Sequence, residues 1–138
     1  AQDELVLIAA PRHPLAGAGT VQLDQLRDQL VLMHEAGSGT RAVTEQWLAD
    51  RGVRLQPAMT LASTEALKQT VATGLGVALL SAQAIRMELA AGLLVRLSLD
   101  GGPFRRPLYR VLPRASTPSP ALEGFLQVID STFRQGWP

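Results

Sequence analysis

The chain has no cysteine among its 138 residues. That excludes a disulfide scaffold, a thiolate nucleophile and a cysteine-ligated zinc site. Histidine is scarce: only His13 and His34 are present. A metal site would therefore need mostly carboxylates, and neither a metal nor a cofactor is expected. An excess of one charge is also missing, because 13 basic residues face 12 acidic ones for a net +1. So small a balance excludes a whole-surface electrostatic grip on nucleic acid. Lysine is nearly absent, with Lys68 alone among arginines. No apolar run approaches the roughly 20 residues of a membrane span, so no membrane partner is expected. The opening Ala1-Gln2-Asp3-Glu4 lacks the basic and long apolar regions of a signal peptide, and a cytoplasmic location is expected. It also lacks an initiator methionine, so the chain reads as a piece of something longer.

What is present suffices for a core. Hydrophobic residues make up 46% of a chain long enough for one domain, or one domain with a remnant of a second. Short apolar runs alternate with helical periodicity, the signature of an α/β fold. Leu5 to Ala9 predicts a strand, stopped by Pro11 and Pro14. Thr20 is placed to cap a short helix holding Leu23 and Leu26. Leu30 to Met33 predicts a second strand. A helix with Val43, Trp47 and Leu48 on one side follows and stops near Gly52. Residues 55–61 predict a strand, and the next helix presents Leu67 and Val71 and ends at Gly74. Val77 to Leu80 reads as a buried strand, followed by a helix with Ala82, Ile85 and Leu89. Leu93–Leu99 and Pro107–Leu112 predict two more strands, separated by Gly101-Gly102-Pro103. Residues 113–120 are a proline-rich connector. The last helix has Ser119 as N-cap, Pro120 at its first position, and Leu122, Phe125, Leu126, Ile129 and Phe133 at helical spacing. That wide apolar face needs a cover, so self-association or swapping is expected. Trp47 and Trp137 read as core and terminal packing.

Chemistry concentrates where strands run into helices. Gly37 and Gly39 flank Ser38, Thr40 opens a helix, and Arg41 follows. Glycines let backbone amides converge, and a helix N-terminus adds about half a positive charge. The loop therefore suits a carboxylate, phosphate or sulfate, unless Ser38 or Thr40 merely caps the helix. It is neither a Walker loop nor a dinucleotide fingerprint, since no Gly-Lys-Ser/Thr follows and Ala42 holds the third position. Ser63-Thr64-Glu65 repeats the design, and two such N-termini at strand carboxyl ends can serve one crevice. Ser81 closes a strand and is a third candidate. Arg41 either reaches an anion or pairs with Glu45. Arg105, Arg106, Arg110 and Arg114 cluster, with Arg106 and Arg110 on one strand face. They form either a solvated edge or a contact for an anion or partner. Ser38 with His34 and Glu35 offers no catalytic elbow, because Ala36-Gly37-Ser38 does not fit the Gly-x-Ser-x-Gly pattern. No catalytic residue is expected.

Seven strings now stand in order. They are Leu5-Val-Leu-Ile-Ala, His13-Pro-Leu-Ala and Val21-x-Leu-x-x-Leu26. Then come Glu35-x-Gly-Ser-Gly-Thr-Arg41, Ser63-x-Glu-Ala-Leu-Lys-x-x-Val71 and Gly74-Leu-Gly-Val-Ala-Leu-Leu-Ser81, closing with Ser119-Pro-Ala-Leu-x-x-Phe-Leu126. The series resembles the effector-binding domain of the LysR-type bacterial transcription regulators over essentially the whole chain. With Arg105, Arg106 and Tyr109 it looks most like regulators of carbon-fixation operons, with His34 where Arg is usual and Ala36 where Pro is common.

The resemblance implies a type II periplasmic-binding-protein-like effector lobe, a mixed sheet flanked by helices. Residues 1–112 would be the second lobe with its hinge strands, and 113–138 the connector and return helix of the first lobe. The DNA-binding domain and most of the first lobe would be absent. It further implies a non-enzymatic sensor that binds a small anionic metabolite, a carboxylate or phosphate ester, in a cleft between lobes. DNA would be engaged only through the N-terminal domain, by a homodimer or homotetramer. Effector contacts would come from Gly37, Ser38, Gly39, Thr40, Arg41, Ser63, Thr64 and Ser81. A transport-type solute-binding lobe is the alternative, and a small enzyme on the same fold a third reading.

Overall fold

The computed structural model describes residues 1–112 and 119–134. Two compact units appear: one is Asp3–Arg106, the other Ala1–Gln2 with Pro107–Pro138. The larger is built on strands β1 (Gln2–Ala9), β2 (Thr20–Val21), β3 (Val31–His34), β4 (Met59–Leu61), β5 (Val77–Ser81), β6 (Val95–Leu99) and β7 (Phe104–Pro107). The sheet order is β2-β6-β1-β5-β3-β4, with β7 also pairing β1. β3 is parallel to β4 and β5, whereas β1 is antiparallel to β5 and β6. The sheet is therefore mixed, as expected.

Both of its faces are covered, and the period-2 alternation of a strand shows how. Leu5, Leu7 and Ala9 of β1 join Val31, Met33, Leu48, Leu79 and Phe104 on one side. Val6 and Ile8 join Leu32, Leu67, Val71, Leu80 and Ile85 on the other. This is why the strands read as unbroken apolar runs.

The first face carries α1 (Gly39–Ala49), capped by Ser38, whose side chain accepts from the Arg41 amide. The second carries α2 (Thr64–Ala72), capped by Ser63, with Leu67 and Val71 buried. Gly74 follows α2 at φ +88, the left-handed position that favours glycine. Trp47 is half-buried, stacked on Phe104 at 4.6 Å between centroids, with the Arg51 guanidinium 4.1 Å over its ring. Trp137 lies outside the described residues.

Several expected elements are shifted. Thr20 does not cap a helix: it lies in β2, opposite Ser98 of β6. The 3-10 helix Leu23–Asp28 follows Gln22 instead, whose amide donates to Gln25 Oε1 at 2.7 Å. Of residues 55–61 only Met59–Leu61 is strand, because Pro57 has no amide and pairing starts with Ala58 N donating to Val31 O. The helix after β5 splits into a 3-10 turn, Gln83–Ile85, and the short α3 (Arg86–Ala90). The last sheet strand is Phe104–Pro107 rather than Pro107–Leu112. Gly101 and Gly102, both at positive φ, complete the turn after β6, so pairing resumes at Phe104. Arg106 and Arg110 thus do not share a strand.

In the smaller unit, Leu108 N donates to Ala1 O at 2.8 Å, and α4 (Pro120–Arg134) starts at Ser119, whose Oγ accepts from Leu122 N. Arg110 pairs with Asp130 at 3.0 Å, both about half exposed. Phe125 and Val128 of α4 are exposed. Most of the connector, 113–118, with Arg114, lies outside the described residues.

Candidate functional site

Topology brings chemistry to one sheet edge. Since β3 is parallel to both β4 and β5, the carboxyl ends of all three lie on that edge. There His34 ends β3 and leads to α1, Leu61 ends β4 and leads to α2, and Ser81 ends β5. β1 runs antiparallel to β5, with Leu5 opposite Ser81, so the start of β1 lies on the same edge. β7 pairs β1, and its Arg106 reaches Asp3 near the start of β1.

Between these ends is an open groove of about 410 Å³, lined by His34, Thr40, Thr64, Ser81, Gln83 and Arg106 among others. Arg106 Nη1 donates to Thr40 Oγ1 at 2.9 Å. The Thr40 oxygen accepts there, so its own O–H is left to donate to a ligand. Thr64 Oγ1 lies 3.4 Å from His34 Nε2, and His34 is buried. The amides of Gly39 and Thr40 open α1 and have no intrahelical acceptor. Those of Thr64 and Glu65 stand the same way at α2. The groove thus gathers one guanidinium, two threonine hydroxyls, an imidazole and the positive ends of two helices. Chemically, such a set can hold an anion through its oxygens.

Behind Arg106 lies Asp3, only 7% exposed. Its Oδ2 accepts from Arg106 Nε at 2.9 Å and Nη2 at 2.8 Å, and its Oδ1 accepts from Ser81 Oγ at 2.7 Å. Ser81 therefore spends its single O–H on Asp3, since a carboxylate offers no donor. It faces the groove with lone pairs.

Of the expected residues, Thr40, Thr64 and Ser81 come together in the groove. Gly37, at φ +93, turns the loop, Ser38 caps α1, and Gly39 is its first residue. Ser63 caps α2, its Oγ accepting from Ala66 N at 3.4 Å. Arg41 points elsewhere: its Nε donates to Glu45 Oε1 at 2.7 Å and its Nη1 to the His34 carbonyl. The sequence leaves Arg106 as either a solvated edge or a contact for an anion or partner, gives His34 no binding role, and assigns Asp3 nothing. The basic cluster and the Arg105, Arg106 and Tyr109 pattern were the signals for Arg106; Asp3 had none, because its partners are 78 and 103 residues away. Among the described residues, no group of three or more His, Asp or Glu is arranged to hold a metal.

Comparisons with known proteins agree with the fold. The family model described as LysR substrate binding domain matches residues 1–134. The RuBisCO operon transcriptional regulator of Acidithiobacillus ferrooxidans is 38% identical over 99% of this chain and 44% of its own length. The regulator of the same description from Allochromatium vinosum is 39% identical over 92% of this chain and 42% of its own. The chain thus spans less than half the length of these relatives. Among solved structures, the regulatory domain of Synechocystis PCC6803 CcmR in complex with 2-PG is similar, with a TM-score of 0.84 and 29% identity. That match covers 98% of this chain and 65% of the other. The effector binding domain of QuiR in complex with shikimate shares the fold at a TM-score of 0.82 and 19% identity, over 99% of this chain and 64% of the other.

Proposed function

Because this chain belongs to the family of LysR substrate binding domains, we propose that it is the effector-sensing part of a bacterial transcription regulator. Its groove takes a small anionic metabolite, a carboxylate or a phosphate ester. The observation that carries this reading is the Arg106–Thr40 contact at the open end of α1. It puts a charged donor, a free hydroxyl and unpaired amides within reach of one ligand oxygen cluster. Thr40, the Gly39 and Thr40 amides, Thr64 and Arg106 make the direct contacts. Gly37, Ser38 and Ser63 shape the two helix starts, Arg41 braces the loop, and Ser81 acts through Asp3.

Residues 1–112 then serve as one lobe with its hinge strands, and 113–138 as connector and return helix of the other. Ligand capture shifts a conformational equilibrium that a separate N-terminal domain reads out on DNA, in a homodimer or homotetramer in the cytoplasm. No step of this role is catalytic. Relatives described as transcriptional regulators support it over the transport-type alternative, as does the bound 2-PG of a structural neighbour.

The test is a titration of the chain with 2-PG, followed by NMR chemical shifts, for the native protein and Thr40→Val. Valine keeps the shape and removes the hydroxyl. A hydrogen bond to a charged group contributes about 1.5–3 kcal/mol, so affinity should fall roughly 10- to 100-fold. Unchanged affinity in the variant would refute the assignment.

A further inference from the structure

We propose that Asp3 is a positioning residue for this groove, holding Arg106 in the orientation that presents its Nη1 to Thr40 and to an incoming anion. The inference rests on the groove being the anion site. A guanidinium is a flat fork whose donors point in fixed directions. Asp3 takes one edge of that fork, Nε and Nη2, on a single carboxylate oxygen. The opposite side, Nη1, can then lie only toward Thr40, where it is found. The other oxygen of Asp3 is engaged by Ser81, so the carboxylate cannot rotate freely. Asp3 is nearly buried while Arg106 keeps 22% of its side chain exposed. The anchor is thus shielded from water and the donor reaches out. Asp3 and Arg106 are also the first and last residues of the larger unit. Their pairing ties together the start of β1 and the end of β7, the two places where the chain passes out of that unit.

Asp3 does two opposite things to an anion. Its charge cancels that of Arg106, which weakens attraction, and its hydrogen bonds fix the donor, which strengthens binding. The bare-charge effect is screened at an open groove, whereas a donor held in place needs no reordering when ligand arrives. Positioning should therefore dominate, and the sign of the effect separates the two.

The experiment is an NMR titration of the full chain with orthophosphate, in the native protein and in Asp3→Asn, Ser81→Ala, Arg106→Gln and Thr40→Val. The Arg106 Nε–H resonance is identified by its loss in Arg106→Gln. Asp3→Asn should weaken phosphate binding about tenfold, the worth of one charge-assisted hydrogen bond, and should shift the Arg106 Nε–H signal toward that of solvent-exposed arginines. Ser81→Ala, a milder change that leaves the ion pair, should weaken binding about threefold and move the same signal. Asp3→Asn binding phosphate as tightly as the native chain, or more tightly, overturns the proposal. If Asp3→Asn does not fold, Ser81→Ala decides: native affinity with an unmoved signal overturns it. If Arg106→Gln and Thr40→Val both leave affinity unchanged, the groove reading itself fails and the proposal falls with it. If those two weaken binding and Asp3→Asn does not, the positioning role alone is refuted.

Discussion

Gly76→Ala is a severe test of the fold, although it adds a single methyl group. Gly76 precedes β5 and is buried. A Cβ there would fall onto the carbonyl oxygen of Leu30 and within 3.0 Å of that residue's carbonyl carbon and Cβ. The obstruction is backbone, so no rotamer relieves it. That same oxygen accepts from Val77 N at 3.0 Å, at the head of the β3–β5 pairing. To admit the methyl group, the two strands must part by about 1 Å, on ordinary carbon–oxygen contact distances. Losing the hydrogen bond costs about 1 kcal/mol. Displacing the buried Val31 and Val77 costs a further 1–3 kcal/mol or so, as overpacking does. The stiffer unfolded chain returns about 0.4–1 kcal/mol. The net loss is about 1–3.5 kcal/mol. Gly74→Ala is the matched control: its φ is +88 but no atom lies within 4 Å, so only backbone strain of about 1–2 kcal/mol opposes it, less the same return from the stiffer unfolded chain. Urea denaturation followed by circular dichroism measures both, with unchanged slopes expected. If Gly76→Ala destabilises less than Gly74→Ala, the packing of β3 against β5 is not as described.

Two other predictions concern charge. His13 is nearly buried, its Nδ1 accepts from Leu15 N at 3.3 Å, and burial pushes its pKa down. The unfolded chain therefore takes up the proton first. The stability contribution is complete above the ordinary imidazole value of about 6.5 and is lost as pH falls through the lower folded value. His13 caps the 3-10 turn Pro14–Gly17, and His13→Asn keeps a side-chain acceptor there. Its denaturation midpoint should lose less than the native one between about pH 6.5 and 5, above the carboxylate range, and an equal loss would refute the argument. Lys68 joins Glu65 at 2.8 Å and Glu88 at 2.7 Å, with Lys68 and Glu88 about seven-eighths buried. The hydrogen bonds that Lys68 donates to Glu65 and Glu88 raise its pKa, and the bond from Lys68 lowers that of Glu88. Lys68→Met leaves Glu88 without its cation and should cost about 2 kcal/mol, while Lys68→Met with Glu88→Leu should restore most of it. Equal stabilities of the single and double variants, measured in urea, would sink this reading.

Much of the fold was legible in the chain itself. Unbroken apolar runs such as Leu5–Ala9 and Val77–Leu80 marked strands covered on both faces. Serine or threonine at each junction and the left-handed Gly74 marked helix limits, because local hydrogen bonds and backbone sterics act over three or four residues. Even α4 follows from Ser119, Pro120 and an apolar period. The two loop–helix junctions were visible for the same reason, and Thr40, Thr64 and Ser81 with them. Where local signals competed, sequence reasoning failed: Thr20 suits a cap as well as a strand, and Gly101-Gly102 shifts the next strand three residues earlier.

The groove's charge arrangement was not legible, because it depends on pairs distant along the chain. Nothing near Asp3 says that its carboxylate meets Arg106 and Ser81; the antiparallel β1–β5 register and the β7–β1 pairing put them together. Nothing near Arg106 distinguishes it from Arg105, yet one is exposed and the other reaches Thr40. Backbone propensity and capping are properties of neighbouring residues, and the sequence determined them. Which hydroxyl keeps a free proton, and which arginine is aimed into the groove, are properties of contacts between strand ends, and sheet topology determined those.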